Sequence, residues 1–168
     1  MSNQTIPAVI AFVGRSNSGK TTLIEKLLPE IIKRGYRVGT LKHTHHDIDL
    51  GDERKDNNRH KKAGAAMVIV ASSSIVSIVK SWRDPTVTDL LGQFADMDLV
   101  IVEGFTSETL TKIEVYYSGI HNEPLNLPEK EIVAVVTDQP DPRRVPQFGL
   151  NDTKALADFI ETRVIQTG

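Results

Sequence analysis

Gly14-Arg15-Ser16-Asn17-Ser18-Gly19-Lys20-Thr21 matches the phosphate-binding pattern G-x-x-x-x-G-K-[ST] at every fixed position. The run before it, Ile6 to Val13, is almost wholly apolar, as a strand buried on both faces must be. The run after it carries Leu23, Ile24, Leu27, Leu28, Ile31 and Ile32 at the spacing of an amphipathic helix. A glycine-bounded loop between a buried strand and a helix can wrap its backbone N–H groups around an anion, and the helix adds the positive end of its dipole. Lys20 can reach β- and γ-phosphates, and the Thr21 hydroxyl can ligate Mg²⁺. Without a ligand, the same residues would only make a strand-to-helix turn.

Outward from this loop, short apolar runs alternate with helical stretches. This predicts an α/β fold, a P-loop NTPase with a mostly parallel central sheet and helices on both faces. The helix after the loop is expected to end at Arg34-Gly35, with a kink or break near Leu28 because Pro29 lies inside it. Strands are expected at Tyr36 to Leu41, Met67 to Ala71, Ile75 to Lys80, Leu99 to Val102, Lys112 to Tyr117 and Ile132 to Val136. The two runs joined by Ser72-Ser73-Ser74 read as an antiparallel hairpin that would make the sheet mixed. Helices are expected at Lys55 to Ala63, from Asp84-Pro85 through Ala95, and after an Asn151-Asp152 cap. No repeat, low-complexity segment or linker interrupts the chain, which reads as one nucleotide-binding domain over residues 1–168.

Composition narrows the function. There is no cysteine, which excludes disulfides, cysteine-ligated zinc and a thiol nucleophile and fits a reducing, cytoplasmic setting. The net charge is −2, from 20 basic and 22 acidic residues, so binding to nucleic acid by bulk charge is not expected. The N-terminus has no signal-peptide pattern. Every apolar run is far shorter than the roughly 20 residues needed to span a bilayer.

A P-loop needs an acid near its metal. Leu99-Val100-Ile101-Val102-Glu103-Gly104 ends an apolar strand in a carboxylate, at the edge of a parallel sheet where ligands bind. Glu103 is thus the expected partner of Thr21 at Mg²⁺, or the residue that orients an attacking water. Otherwise it is a surface residue at a strand end. Asp98, at the opposite end of the strand, reads as a turn or capping residue. Lys42-His43-Thr44-His45-His46-Asp47 follows the second strand. His43, His45 and His46 could contact phosphate or substrate, hold a metal, or have no role. The basic run Arg54, Lys55, Arg59, His60, Lys61, Lys62 is balanced by neighbouring acids and reads as a solvated face or an anion contact.

These segments together resemble the MobB family, molybdopterin-guanine dinucleotide biosynthesis protein B. The resemblance is carried by Gly14 to Thr22, Lys42-His43-Thr44-His45-His46-Asp47, Lys62-Ala63-Gly64-Ala65 and Leu99 to Phe105. It implies a GTP-binding, weakly GTP-hydrolysing, usually homodimeric P-loop protein. It further implies an accessory to a MobA-type nucleotidyltransferase that joins GMP to molybdopterin, and so brings molybdopterin into view as a ligand. By the same resemblance, Gly14, Arg15, Ser16, Asn17, Ser18, Gly19, Lys20, Thr21 and Thr22 hold the phosphates, Thr21 and Glu103 hold Mg²⁺, and the histidines lie near the phosphates or the dimer cleft. Guanine is commonly read by Asn-Lys-x-Asp. Here Ile132 to Val136 is followed by Thr137-Asp138-Gln139-Pro140, so only Asp138 could accept the guanine N1 and N2 protons. The alternative for Thr137-Asp138 is turn chemistry before Pro140. A small-molecule kinase, a metallochaperone GTPase and a nucleotide-set interaction module remain the competing functions.

Overall fold

The computed structural model describes residues 7–44, 46, 48, 56–119 and 123–167. Chain contacts divide it into two compact units, one of residues 1–43 and 87–168 and one of residues 44–86.

The first unit is a six-stranded sheet. Its strands are β1 (Ala8–Val13), β2 (Val38–Lys42), β5 (Leu99–Glu103), β6 (Lys112–Val115), β7 (Ile132–Val136) and β8 (Gln147–Phe148), in the order β2-β5-β1-β6-β7-β8. Every pairing in it is parallel. β1 lies between β5 and β6, so the chain leaves the first strand to one side and later returns to the other. The crevice for a ligand opens at such a point, above the strands' carboxyl ends.

Each sheet face buries one set of alternating side chains. Ile10, Phe12, Leu99, Ile101, Ile113, Val115, Ala134 and Val136 pack on α1 (Lys20–Ile32) and α4 (Thr153–Ile160). Ala11, Val13, Val100 and Val102 pack on the other face with Phe105 and Val87 of α3 (Val87–Leu91). The expected layering of helices on both faces therefore holds, with the thicker layer under α1 and α4.

The break expected near Leu28 does not occur. Pro29 sits in the last turn of α1, where it removes one hydrogen bond, and Lys33 N–H still donates to the Pro29 carbonyl. The helix expected through Ala95 is shorter: α3 stops at Leu91 and a 3₁₀ turn follows over Gly92–Phe94. Asp152 precedes α4, but its carboxylate accepts from Gly149 N–H rather than capping the helix. Asp98 plays the turn role expected of it, accepting from Arg37 N–H at 2.7 Å.

The second unit contains α2 (Asp56–Lys62) and the hairpin of β3 (Met67–Ala71) and β4 (Val76–Lys80). The antiparallel hairpin is as expected, but it forms a two-stranded sheet of its own and does not join the parallel one. Both hairpin strands are too apolar for a solvated pair: Met67, Ile69, Val70, Val76 and Ile78 are all exposed. Among the described residues no helix is long and apolar enough to cross a membrane.

β6 buries charge where its neighbours bury only carbon. Lys112 and Glu114 are 0% exposed. The Lys112 ammonium pairs with Glu131 and donates to the Glu108 carbonyl. Glu114 accepts from the Leu125 N–H and from Arg143, and Arg143 also clasps Asp141, to which Tyr116 donates at 2.6 Å. This network holds the irregular 138–146 connection against the end of the sheet. Arg143, one of an adjacent arginine pair, is thereby a structural residue.

Candidate functional site

The loop from Gly14 to Gly19 leaves β1 at the sheet's carboxyl edge and enters α1 directly. Its turn depends on backbone that only small side chains allow. A Cβ on Gly14 would run into the Val115 carbonyl oxygen of the adjacent strand and lie 2.7 Å from Ser18 Oγ. Gly19, at φ 80°, begins the helix without a side chain, so the first-turn N–H groups keep their donors for an anion. Ser18 is buried, whereas Arg15, Ser16 and Asn17 are exposed along the loop, and Thr21 and Thr22 are exposed in the first turn. Gly14→Ala should therefore both remove phosphate binding and lower Tm clearly, because the new Cβ meets backbone of the next strand. Calorimetry with inorganic pyrophosphate and a thermal melt check both halves.

The charged groups close over this cradle. Lys20 Nζ donates to the carbonyls of Gly14 at 3.1 Å and Arg15 at 2.8 Å. Its ammonium thus lies across the loop, where phosphate oxygens would be reached with little movement. Burial holds the Lys20 pKa below its ordinary value. Glu103 pulls it back up, and the positive Lys42 lowers it further. Thr21 Oγ1 donates to Glu103 Oε1 at 2.8 Å. The hydroxyl opening α1 and the carboxylate ending β5 are therefore adjacent. Both are hard oxygen ligands of the kind Mg²⁺ takes, alongside water and phosphate, so the residues present fit the ion.

Gly104 and Phe105 turn the chain sharply after Glu103, at φ 95° and 51°. Phe105 folds back under the sheet edge, with its ring 4.5 Å from that of His43. His43 N–H donates to the Glu103 carbonyl. His43 thus lies beside the turn after Glu103, packed on Phe105. His46 belongs to the other unit, with its N–H bonded to Thr44 Oγ1, and His45 lies outside the described residues. Among the described residues, no cluster of three or more His, Asp or Glu could hold a metal.

Asp138, just beyond β7, accepts from Ser118 N–H at 2.8 Å and Ser118 Oγ at 2.7 Å. These bonds hold its carboxyl below the ordinary carboxylate pKa. One lone pair on each oxygen remains for another donor. Two contacts at the site are not foreseen from the sequence. The Tyr117 ring packs within 3.6 Å of where a Gly19 Cβ would be. Lys42 reaches both Thr21 Oγ1, at 3.3 Å, and Glu103 Oε1, at 3.2 Å. Lys42 opens the segment that runs to Asp47, but only the pairing of β2 with β5 brings it to Thr21 and Glu103.

Residues 9–138 match the family described as MobB: Molybdopterin guanine dinucleotide synthesis protein B. The chain belongs to the MobB family. Its resemblance to a curated MobB relative, the molybdopterin-guanine dinucleotide biosynthesis adapter protein of Escherichia coli K12, is 38% identity over 168 residues, 95% of either chain. The adapter protein of the same name from Haemophilus influenzae is 39% identical, over 95% of this chain and 90% of that one. Among solved structures, the MobB homolog from Bacillus stearothermophilus superimposes with a TM-score of 0.69 at 26% identity, covering 95% of this chain and 99% of that one. The match takes in the P-loop, the histidine segment and Glu103, and the MobB fold accounts for the parallel sheet.

Proposed function

We propose that this chain is an adapter in molybdopterin guanine dinucleotide synthesis that binds GTP with Mg²⁺ and hydrolyses it slowly, as a homodimer beside a MobA-type nucleotidyltransferase. The observation that carries the reading is the Thr21–Glu103 hydrogen bond, at 2.8 Å, at the mouth of a complete P-loop. It sets a metal-ligating pair next to Lys20 and the helix N-terminus, which is the arrangement nucleoside triphosphate chemistry uses. Mg²⁺, when bound there, would neutralise charge on the β- and γ-phosphates. Lys20 binds the same oxygens, the Gly14–Gly19 backbone orients them, and Glu103 holds the metal or an in-line water. Asp138 favours guanine over adenine, because only guanine offers donors at N1 and N2 to a carboxylate. The adapter role comes from the names of the relatives, and the homodimer from the family resemblance together with the exposed apolar hairpin.

Titration calorimetry with GTP and with ATP, each with Mg²⁺, tests the reading. GTP is expected to bind more tightly than ATP, and Lys20→Ala is expected to weaken GTP binding at least a hundredfold, since a charge-assisted contact to each of two phosphates is lost. Tighter ATP binding would remove the guanine argument from Asp138. Equal binding of GTP by wild type and Lys20→Ala would remove the P-loop reading.

A further inference from the structure

Lys42 and Glu103 face each other across β2 and β5 as register partners. The Lys42 ammonium lies 3.2 Å from Glu103 Oε1 and 3.3 Å from Thr21 Oγ1. A single cation thus bridges the two oxygens that fit Mg²⁺. We propose that Lys42 is a built-in counter-cation of the Thr21–Glu103 pair, and that a divalent ion must displace it to bind.

This rests on the nucleotide-binding reading of the P-loop but adds a residue and a step to it. Three features argue for it. The Glu103 side chain is only 14% exposed, so its charge needs a partner when no metal is present. Lys20 acts on that charge only from a distance, because its ammonium is bonded to the loop carbonyls, whereas Lys42 touches the carboxylate. The Lys42 side chain is 59% exposed, so its flexible stem can swing the charge into water without disturbing the core.

Mg²⁺ binds oxygen at about 2.0–2.1 Å. An ammonium on the same Oε1 would leave the two cations only a few ångströms apart, with little solvent between them to screen their repulsion. Lys42 therefore steadies the metal-free site and weakens its affinity for the ion. The triphosphate's negative charge tips the balance back. Metal uptake is thus tied to nucleotide, and free Mg²⁺ alone is a poor ligand.

The test uses Mn²⁺ as probe, with the free ion counted by electron paramagnetic resonance. The full-length chain is saturated with a non-hydrolysable GTP analogue, whose own binding is measured by calorimetry. Lys42→Met and Lys42→Gln should both bind Mn²⁺ about five- to tenfold more tightly than wild type, the effect of removing one adjacent positive charge. Lys42→Arg should stay near wild type. Circular dichroism melts establish that each variant is folded.

Analogue binding with unchanged or weaker Mn²⁺ affinity in both neutral variants overturns the proposal and leaves the nucleotide reading intact. Failure of wild type to bind the analogue, while the neutral variants still take up Mn²⁺ more tightly, overturns the nucleotide reading and leaves the role of Lys42 standing.

Discussion

Arg143→Leu should destabilise the chain by about 3–5 kcal/mol, the usual cost of stripping the partner from a buried charge. The guanidinium donates through Nε to both Asp141 oxygens, at 2.9 and 3.1 Å, and through Nη1 to Glu114. The side chains of Glu114 and Asp141 are 1% and 0% exposed. One cation therefore serves two carboxylates that water cannot reach. Leucine would fill the space and leave both charges uncompensated. The loss is a large part of the roughly 5–15 kcal/mol that holds a domain folded, and urea denaturation at pH 7 reads it directly. A loss under about 1 kcal/mol would mean that the carboxylates are not held as buried ions.

The same network sets a pH dependence. Arg143 and Tyr116 lower the Asp141 pKa to about 2 against its burial. A folded-state pKa below the unfolded value means that the charged group contributes stability above the unfolded pKa. That contribution, about 2 kcal/mol, is lost as the pH falls from about 4 through 2. In Arg143→Leu the Asp141 carboxylate takes up its proton at higher pH, because the largest interaction that lowers its pKa is gone while burial remains. The gap between variant and wild type should therefore be widest near pH 7 and shrink below about pH 5. Parallel urea curves at pH 7, 5 and 3 follow it.

Local chemistry made the P-loop and Glu103 legible but not the contact that Lys42 makes with them. The P-loop announces itself because its glycines, lysine and threonine lie in one stretch, and the backbone does most of its binding. Glu103 could be found because an apolar run ending in an acid marks the edge of a buried strand. Lys42 could not, since its meaning depends on β2 pairing with β5, a neighbour sixty-odd residues on in the chain. Arg143 was equally opaque: its partners, Glu114 and Asp141, come from a strand and a loop, and nothing in the local spacing links the three. The hairpin was legible as a hairpin but not as a separate sheet. Turn chemistry specifies which strands pair locally, whereas joining a larger sheet depends on a free edge elsewhere. Pro29 misled because α1 ends at Ile32, only three residues beyond it, so little helix follows the proline to be broken.

Ile69→Lys combined with Ile78→Lys should convert the proposed homodimer to a monomer. The two isoleucines are register partners on β3 and β4, flanked by Met67 against Lys80 and Ala71 against Val76. Their shared face is bare: Ile69 is 57% exposed, Ile78 54% and Val76 60%. A lone two-stranded hairpin is marginal in water, and an apolar face of this kind needs a cover to be stable. The opposite face is better covered at one end, where Val68 is 8% exposed, although Val70 is 48% exposed. A second copy brings an identical apolar face, and a two-fold arrangement sets Ile69 and Ile78 of one copy against those of the other. Two lysines there would face two more across the axis, adding repulsion and desolvation to the lost apolar area, so the dissociation constant should rise at least a hundredfold. Ser77→Lys, which changes charge on the opposite face of β4, should leave the dimer intact. Sedimentation equilibrium at micromolar concentration separates the cases. A monomeric wild type, or a double variant still dimeric, would assign this face to another partner, and the first surface to test would then be the complementary one on the nucleotidyltransferase.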